Sequence, residues 1–264
     1  MTATKPLILF ENLFNDHVDS IAAPEANACD WRLDTKWTGT GSDDCITPTF
    51  ATSKRINCFA ISGHNFSEGG QTIALSRSID GGSTWYAVTG ATFTPTTNKT
   101  MLVILNTTYN ANRLKATISG GTGTWSIGVI AAGEYLSMPV WANRGFDPSP
   151  RTFKGKVGRN RNGSWINSGV LQTNEKETWD FAHITAAWIE SVSATTPTWL
   201  DFERHASFPG GKPFFFAWDY GEHPLEIKYC FFPDGTKLSK PRGVKLRVPL
   251  LKLSFSVQQE DDTP

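Results

Sequence analysis

The sequence predicts a mainly β protein: a β-sandwich over residues 1–138, then a smaller α+β domain with an antiparallel sheet over residues 139–264. Three observations carry this. The 264 residues include 10 Trp, 17 Phe, 23 Gly and 15 Pro, the mixture of strand formers and turn residues that antiparallel sheets use. Short segments of alternating polarity recur through the first half, with turn residues between them. Near Met138 the composition shifts: Pro139, Pro148 and Pro150 frame a connector, and a helix-spaced segment follows.

Residues 5–14 read as an opening strand that docks on the sandwich. A polar loop follows, and Thr47–Ala51 reads as a short strand. The organising stretch is residues 56–88. Asn57, Phe59 and Ile61 alternate with Cys58, Ala60 and Ser62, as a half-buried strand requires. Gly63–Gly70 is a polar loop around His64 and Asn65, and Ile73 and Leu75 restart a strand. Asp80-Gly81-Gly82 then turns the chain, because glycine reaches positive φ freely, and Trp85 begins the return. Met101–Leu105, Arg113–Ile118 and Trp125–Ala131 are further strands.

Beyond the connector at residues 143–151, Trp165–Leu171 reads as a strand. In Thr178–Val192, Phe181, Ile184, Trp188 and Val192 stand three and four apart, the spacing of one helix face. Trp199–His205 is a second helical turn, Phe214–Trp218 a buried strand, Glu226–Phe232 another, and Leu246–Val257 a long closing strand.

Lys plus Arg and Asp plus Glu are 25 each, so the formal charge is zero and the basic excess of a nucleic-acid binder is missing. Residues 1–14 hold a four-residue apolar run, too short for a signal peptide, and no run approaches the roughly 18 apolar residues of a membrane span. Cys29, Cys45, Cys58 and Cys230 form no C-x-x-C pair, so free thiols in a reducing cytoplasm are expected, disulfide pairing being the alternative.

No nucleophile elbow, zinc-helix or phosphate-loop motif is found, so no enzyme is expected. Glu175, Glu177 and Asp180, and Asp201 with Glu203, read as solvated faces; His183 and His205 read as structural. The basic runs Lys154–Arg161 and Lys240–Arg247 read as loop surface.

Asp30, with Thr35 five residues on and Trp37 two further, resembles the early loop of the discoidin, or galactose-binding-like, family. The hairpin residues Ser78, Asp80, Gly81 and Trp85, and Glu134 in the segment IGVIAAGEYL, extend the resemblance over residues 5–138. It implies a discoidin-like jelly roll, a structural calcium at Asp30, Thr35 and Glu134, and ligand-bearing loops at one end of the sandwich. By position the ligand candidates are Trp31, Arg32, His64, Asn65 and Arg113. The family's Gly after the Asp is Trp31 here, which puts carbonyl ligation in doubt, and a metal-free loop capped by Asp30 is the competing reading. His64 and Asn65 could equally satisfy loop backbone groups, and Trp37 reads as core. No cofactor beyond that calcium is implied.

The segments PFFFAWDYGEHPLEIKYCFF and VPLLKLSFSVQQ resemble the assembly domains of minor tail and baseplate proteins of long-tailed bacteriophages. That implies a non-catalytic virion component near the tail tip, assembled in the host cytoplasm. Its partners would be other tail proteins and copies of itself in a ring, with a host-surface glycan as a further contact, and neither nucleic acid nor membrane insertion. The alternative is a carbohydrate-binding protein that belongs to no virion.

Overall fold

The computed structural model describes residues 5–15, 24–142, 151–159, 162, 165–207, 212–232 and 250–259. All strand pairings among them are antiparallel. The stretch over residues 56–88 folds as β4 (Lys54–Ser62), a one-turn helix α1 (Phe66–Gly69) in the expected loop, β5 (Thr72–Ser78) and β6 (Tyr86–Phe93). Gly81 and Gly82 take φ of 74° and 98° at the hairpin turn. The Asp80 carboxylate accepts from Ser78 Oγ at 2.6 Å and from the Thr84 amide at 2.9 Å. Those bonds hold its pKa down to about 2.

This N-terminal unit is a two-sheet antiparallel β-sandwich. One sheet runs β3 (Asp43–Ile46), β8 (Arg113–Ser119), β5, β6; the facing sheet runs β10 (Val129–Gly133), β4, β7 (Met101–Ala111). Between them lie Ile73, Leu75, Leu114 and Ile118 from the first and Ile56, Phe59, Ile61 and Ile130 from the second. A ribbon of β2 (Trp37–Thr40) and β9 (Thr124–Ile127) adds Trp37 and Trp125, packed edge to face at 4.9 Å. Gly39 is needed there, since a Cβ would lie 2.6 Å from the Trp125 ring. The short strand expected at Thr47–Ala51 lies instead at β3. Pro48 has no N–H for a ladder, and the segment is tied by single bonds from Thr47 and Phe50 to the Leu114 and Asn112 carbonyls.

The second half builds one sheet in the order β11 (Leu136–Ser137), β1 (Leu7–Leu9), β14 (Phe214–Ala217), β15 (Ile227–Phe231), β16 (Leu250–Gln259), β13 (Trp165–Thr185), β12 (Arg151–Arg159). The opening strand therefore docks on the second unit, with Leu7, Ile8 and Leu9 opposite Ala217, Phe216 and Phe215. β11 joins the same sheet. The division at residues 138/139 is thus crossed by two strands of the first half.

The two units also share a core. Cys58 and Ala60 of β4, Leu102 of β7, and Val129 and Ala131 of β10 turn away from the sandwich interior. They meet Leu7, Leu9, Phe215, Ala217, Ile227 and Tyr229 from the seven-stranded sheet. β4 is accordingly buried on both faces from Cys58 to Ser62, not half-buried as its alternation suggests. A bulge between Ile56 and Cys58 lets Ile56, Phe59 and Ile61 share the inner face despite their uneven spacing.

On the far face of the seven-stranded sheet, Ile8, Phe214, Phe216, Trp179 and Phe181 pack beneath α2 (Ala186–Ile189) and α3 (Trp199–Ala206). The helix expected over Thr178–Val192 is corrected: residues 178–185 belong to β13, only Ala186–Ile189 is helical, and Val192 is 83% exposed. His183 adopts φ of 63° in a bulge, so Phe181 and Ile184 bury on one face three residues apart, which mimics helical spacing. At the β12 edge of that sheet, residues 165–175 of β13 pair only with β12 among the described residues, while β16 covers residues 176–185. The basic run Lys154–Arg161 thus starts within β12. The closing strand is described from Leu250, and the connector at residues 143–150 and the run Lys240–Arg247 lie outside the described residues.

Residues 1–138 produced alone should aggregate or bind a hydrophobic dye, because separation uncovers the shared core, while the full chain stays monodisperse in gel filtration. In the full chain, Phe215→Ala should cost about 3–5 kcal/mol in urea melts. A soluble, dye-negative 1–138 fragment would count against a shared core.

Candidate ligand cleft at the junction of the two units

The early loop is a capped turn. Asp30 Oδ1 accepts from the Arg32 amide at 3.0 Å, and the Thr35 hydroxyl donates to Asp30 Oδ2 at 2.8 Å. Arg32 forks onto Asp34 at 3.1 and 2.7 Å on the exposed surface. Trp31 stands between them at φ 63°, the conformation a glycine would take, at a cost of about 1–2 kcal/mol. Its indole is only 6% exposed, stacks on Tyr229 with the ring planes 17° apart, and contacts His205 edge-on at 5.7 Å. The Tyr229 hydroxyl donates to the Trp31 carbonyl at 2.7 Å. The side chain at this positive-φ position is thus an anchor in the shared core.

That geometry does not assemble the calcium site. The Asp30 oxygens serve their own turn, the Trp31 carbonyl serves Tyr229, and Glu134 pairs with Arg55 at 3.1 Å. Among the described residues no group of three or more His, Cys, Asp or Glu could hold a metal.

The remaining candidates disperse. His64 is buried, with Nε2 bonded to the Lys99 carbonyl at 3.0 Å and Nδ1 accepting from the Phe66 amide at 3.4 Å. Burial pushes its pKa down to about 4. The Asn65 amide spans β9, donating to the Thr124 carbonyl at 3.2 Å and accepting from the Ser126 amide at 2.7 Å. Arg113 donates to the Thr47 and Gly81 carbonyls at 2.8 and 3.3 Å and lies over Trp85. It sits opposite Ser78, whereas the α1 end of β8 is Ser119 opposite Thr72. The two groups therefore occupy opposite ends of β8, roughly 20 Å apart along the strand. All three side chains organise backbone.

What the structure does bring together is an open cleft of about 430 Å³ between the units. The sandwich side supplies Thr52, Ser53, Lys54 and Arg55 leading into β4, with Glu134 after β10. The other side supplies Ser193–Pro197 between α2 and α3, then Asp201 and His205. Phe10 and Trp31 form its apolar floor. Arg55 bridges the walls, bonding Glu134 Oε1 at 3.1 Å and the Thr195 carbonyl at 3.3 Å.

Glu134, Asp201 and His205 are each already engaged. The Glu134 side chain is 6% exposed; burial raises its pKa and Arg55 opposes that rise. Its backbone amide donates to Glu11 Oε2 at 3.1 Å. Asp201 closes the capping box of α3, accepting from the Thr198 amide and hydroxyl, and pairs with Arg204 at 3.2 Å. His205 Nε2 lies 2.7 Å from the Pro213 carbonyl, and burial lowers its pKa to about 4. Three carboxylates on the walls (Glu11, Glu134, Asp201) balance three cations (Lys54, Arg55, Lys212). Sequence spacing hides this site: Arg55 and Glu134 meet only through the β4–β10 register, in which Cys58 faces Gly133.

Arg55→Ala leaves a buried carboxylate without its cation and should cost about 2 kcal/mol at pH 7.5, less than a fully buried pair because Arg55 is half-solvated. With Arg55 gone the folded-state pKa of Glu134 rises further, so stability is retained below the unfolded carboxylate range and lost as pH rises through the folded pKa. The deficit should therefore shrink towards pH 5 in urea melts. Glu134→Gln should cost under about 1 kcal/mol and show no such trend. An equal deficit at both pH values would refute this account.

No protein-family model matches the chain, and no curated protein does. Among solved structures, a pectin-binding carbohydrate-binding module matches with 18% identity over 41% of this chain and 78% of that one, at a TM-score of 0.35. The family 32 carbohydrate-binding module of C. perfringens NanJ, solved in complex with galactose, matches with 15% identity over 50% and 99%, at 0.36. The family 32 module of AlyQ, in complex with 4,5-unsaturated mannuronic acid, matches with 18% identity over 50% and 98%, at 0.32. The likeness is partial and concerns fold.

Proposed function

We propose that this chain is a non-catalytic saccharide-binding protein that takes its ligand in the cleft between the two units. The observation behind this is the cleft's composition: hydroxyl, carbonyl, amide and charged groups from two facing walls over a small apolar floor. Its volume of about 430 Å³ is in the range of small-ligand sites. Hydroxyls arrayed around a ring need such alternating donors and acceptors, while the floor receives the ring's apolar face. The balance of wall charges favours a neutral saccharide over a uronate. The engagement of Glu134, Asp201 and His205 supports binding without turnover, since none is poised as a nucleophile or general base.

The test is a glycan array on the full chain, followed by calorimetry with the best neutral oligosaccharide. Thr52→Trp places a bulky ring at the exposed rim of the cleft and should weaken binding at least tenfold with the melting temperature unchanged. Binding indifferent to Thr52→Trp would move the site elsewhere. An array without hits, or hydrolysis of the bound sugar, would overturn the reading.

A structural role in a bacteriophage tail tip is a second reading, favoured by one feature. The hairpin of β12 with residues 165–175 of β13 runs on as a two-stranded ribbon past the part of β13 that β16 covers. Isolated ribbons are marginal in water, and an arm of about 30 Å whose outer edges meet no further strand among the described residues would offer those edges to neighbouring copies. In this reading the protein would be built into a virion in the host cytoplasm, with the cleft turned to a host-surface glycan. Electron microscopy of the full chain should show closed rings, and replacing residues 152–174 by a short turn should return monomers that still melt cooperatively. Monomers at all concentrations would remove the ring.

A further inference from the structure

Four cysteines are buried as free thiols, and two of them share a core. Cys29 Sγ and Cys45 Sγ lie 3.7 Å apart inside the sandwich. Cys58 belongs instead to the shared core and Cys230 to the core beneath the helices. We propose that Cys29 and Cys45 are a disulfide-forming pair, oxidised by a low-molecular-weight disulfide such as glutathione disulfide, and that the bond pins the Trp31 loop to the sandwich.

The geometry favours closure between these two sulfurs. Cys45 is the inward residue of β3, fixed opposite Ala116 in the ladder. Cys29 follows a single 3-10 turn, Glu25–Ala28, whose backbone is held by two bonds, from the Asn27 amide to the Pro24 carbonyl and from the Cys29 amide to the Ala26 carbonyl, rather than by a strand ladder. The adjustment from 3.7 Å to a bond of about 2.05 Å therefore falls on the Cys29 side, within reach of side-chain rotation and a small loop shift. The Cys29 thiol otherwise reaches only the Glu25 carbonyl, at 3.5 Å.

The chemistry is two thiol–disulfide exchanges. One cysteine thiolate attacks a sulfur of glutathione disulfide, forming a mixed disulfide and releasing one glutathione thiolate. The second cysteine thiolate attacks the protein sulfur of that mixed disulfide and expels the other. Two protein thiols are oxidised, one glutathione disulfide is reduced to two glutathiones, and the two cysteine protons pass to solvent or to the leaving thiolates. The hydrogen bond with Cys45 and burial both raise the Cys29 pKa, and burial removes both sulfurs from solvent, so the reaction waits on local opening and is slow in the native state.

The bond reaches the junction of the units. Trp31, two residues after Cys29, is the side chain that crosses to Tyr229, and the Cys29 carbonyl accepts from Asn15 at the cleft. The proposal does not depend on what the cleft binds. In the test, the full chain is incubated with glutathione disulfide, with and without a low concentration of urea, then alkylated and mapped by mass spectrometry. A single cross-linked peptide joining Cys29 to Cys45 is expected, formed faster with urea, with Cys58 and Cys230 alkylated. The melting temperature should rise by about 5 °C and return on reduction. Cys45→Ser should abolish both effects; if it fails to fold, Cys29→Ala serves, since Cys29 lies in the loop. A stable glutathione adduct without closure, a different cross-link, or no reaction even in urea would overturn the assignment.

Discussion

The three-stranded sheet β10–β4–β7 is the layer on which the rest of the molecule depends, because it must be covered on both faces. One face completes the sandwich core with Phe59, Ile61 and Ile130; the other offers Cys58, Ala60, Leu102, Val129 and Ala131 to a second sheet. Small residues dominate that outer face, and Phe215 and Tyr229 come from the other side to fill the space. Such complementarity makes the units one body. A free sandwich would expose a contiguous apolar patch of the kind that marks an interface.

Trp31 is the local device that fastens this arrangement. A tryptophan held at positive φ is strained, and such strain persists only where surrounding contacts over-determine it. Here the contacts are the Tyr229 stack, the Tyr229 hydroxyl on the Trp31 carbonyl, and the edge of His205. The same indole forms part of the cleft floor, so the anchor between the units and the candidate ligand site are physically continuous. A ligand spanning both walls would favour the joined state by mass action.

The strands of the sandwich were legible in the sequence because their signals are local. The period of two in β4, β5 and β8 and the Asp80-Gly81-Gly82 turn follow from pleat geometry and glycine freedom. The α3 segment was legible for the same reason, its Thr198 and Asp201 forming a capping box before an amphipathic turn. Residues 178–185 misled because a bulge at His183 converts a strand period into a helical one. The site was less visible still. Asp30, Thr35 and Trp37 marked a loop correctly, yet the partners of Asp30 and Glu134 differ from those a calcium site needs. Arg55 carries no signal at all until β4 is laid beside β10.

By itself the sequence determined the β class, the β5–β6 hairpin at Asp80-Gly81-Gly82, the capped Asp30 turn and a net charge of zero, all read from composition or from neighbours within a few residues. Only the tertiary structure decided that Leu7–Leu9 belongs to the second sheet, that Trp31 points into a shared core, and that a cleft opens where Arg55 meets Glu134 and Thr195. The physical reason is the same in each case. An apolar strand or a lone tryptophan can satisfy burial against many surfaces, and which one it meets depends on contacts more than a hundred residues apart.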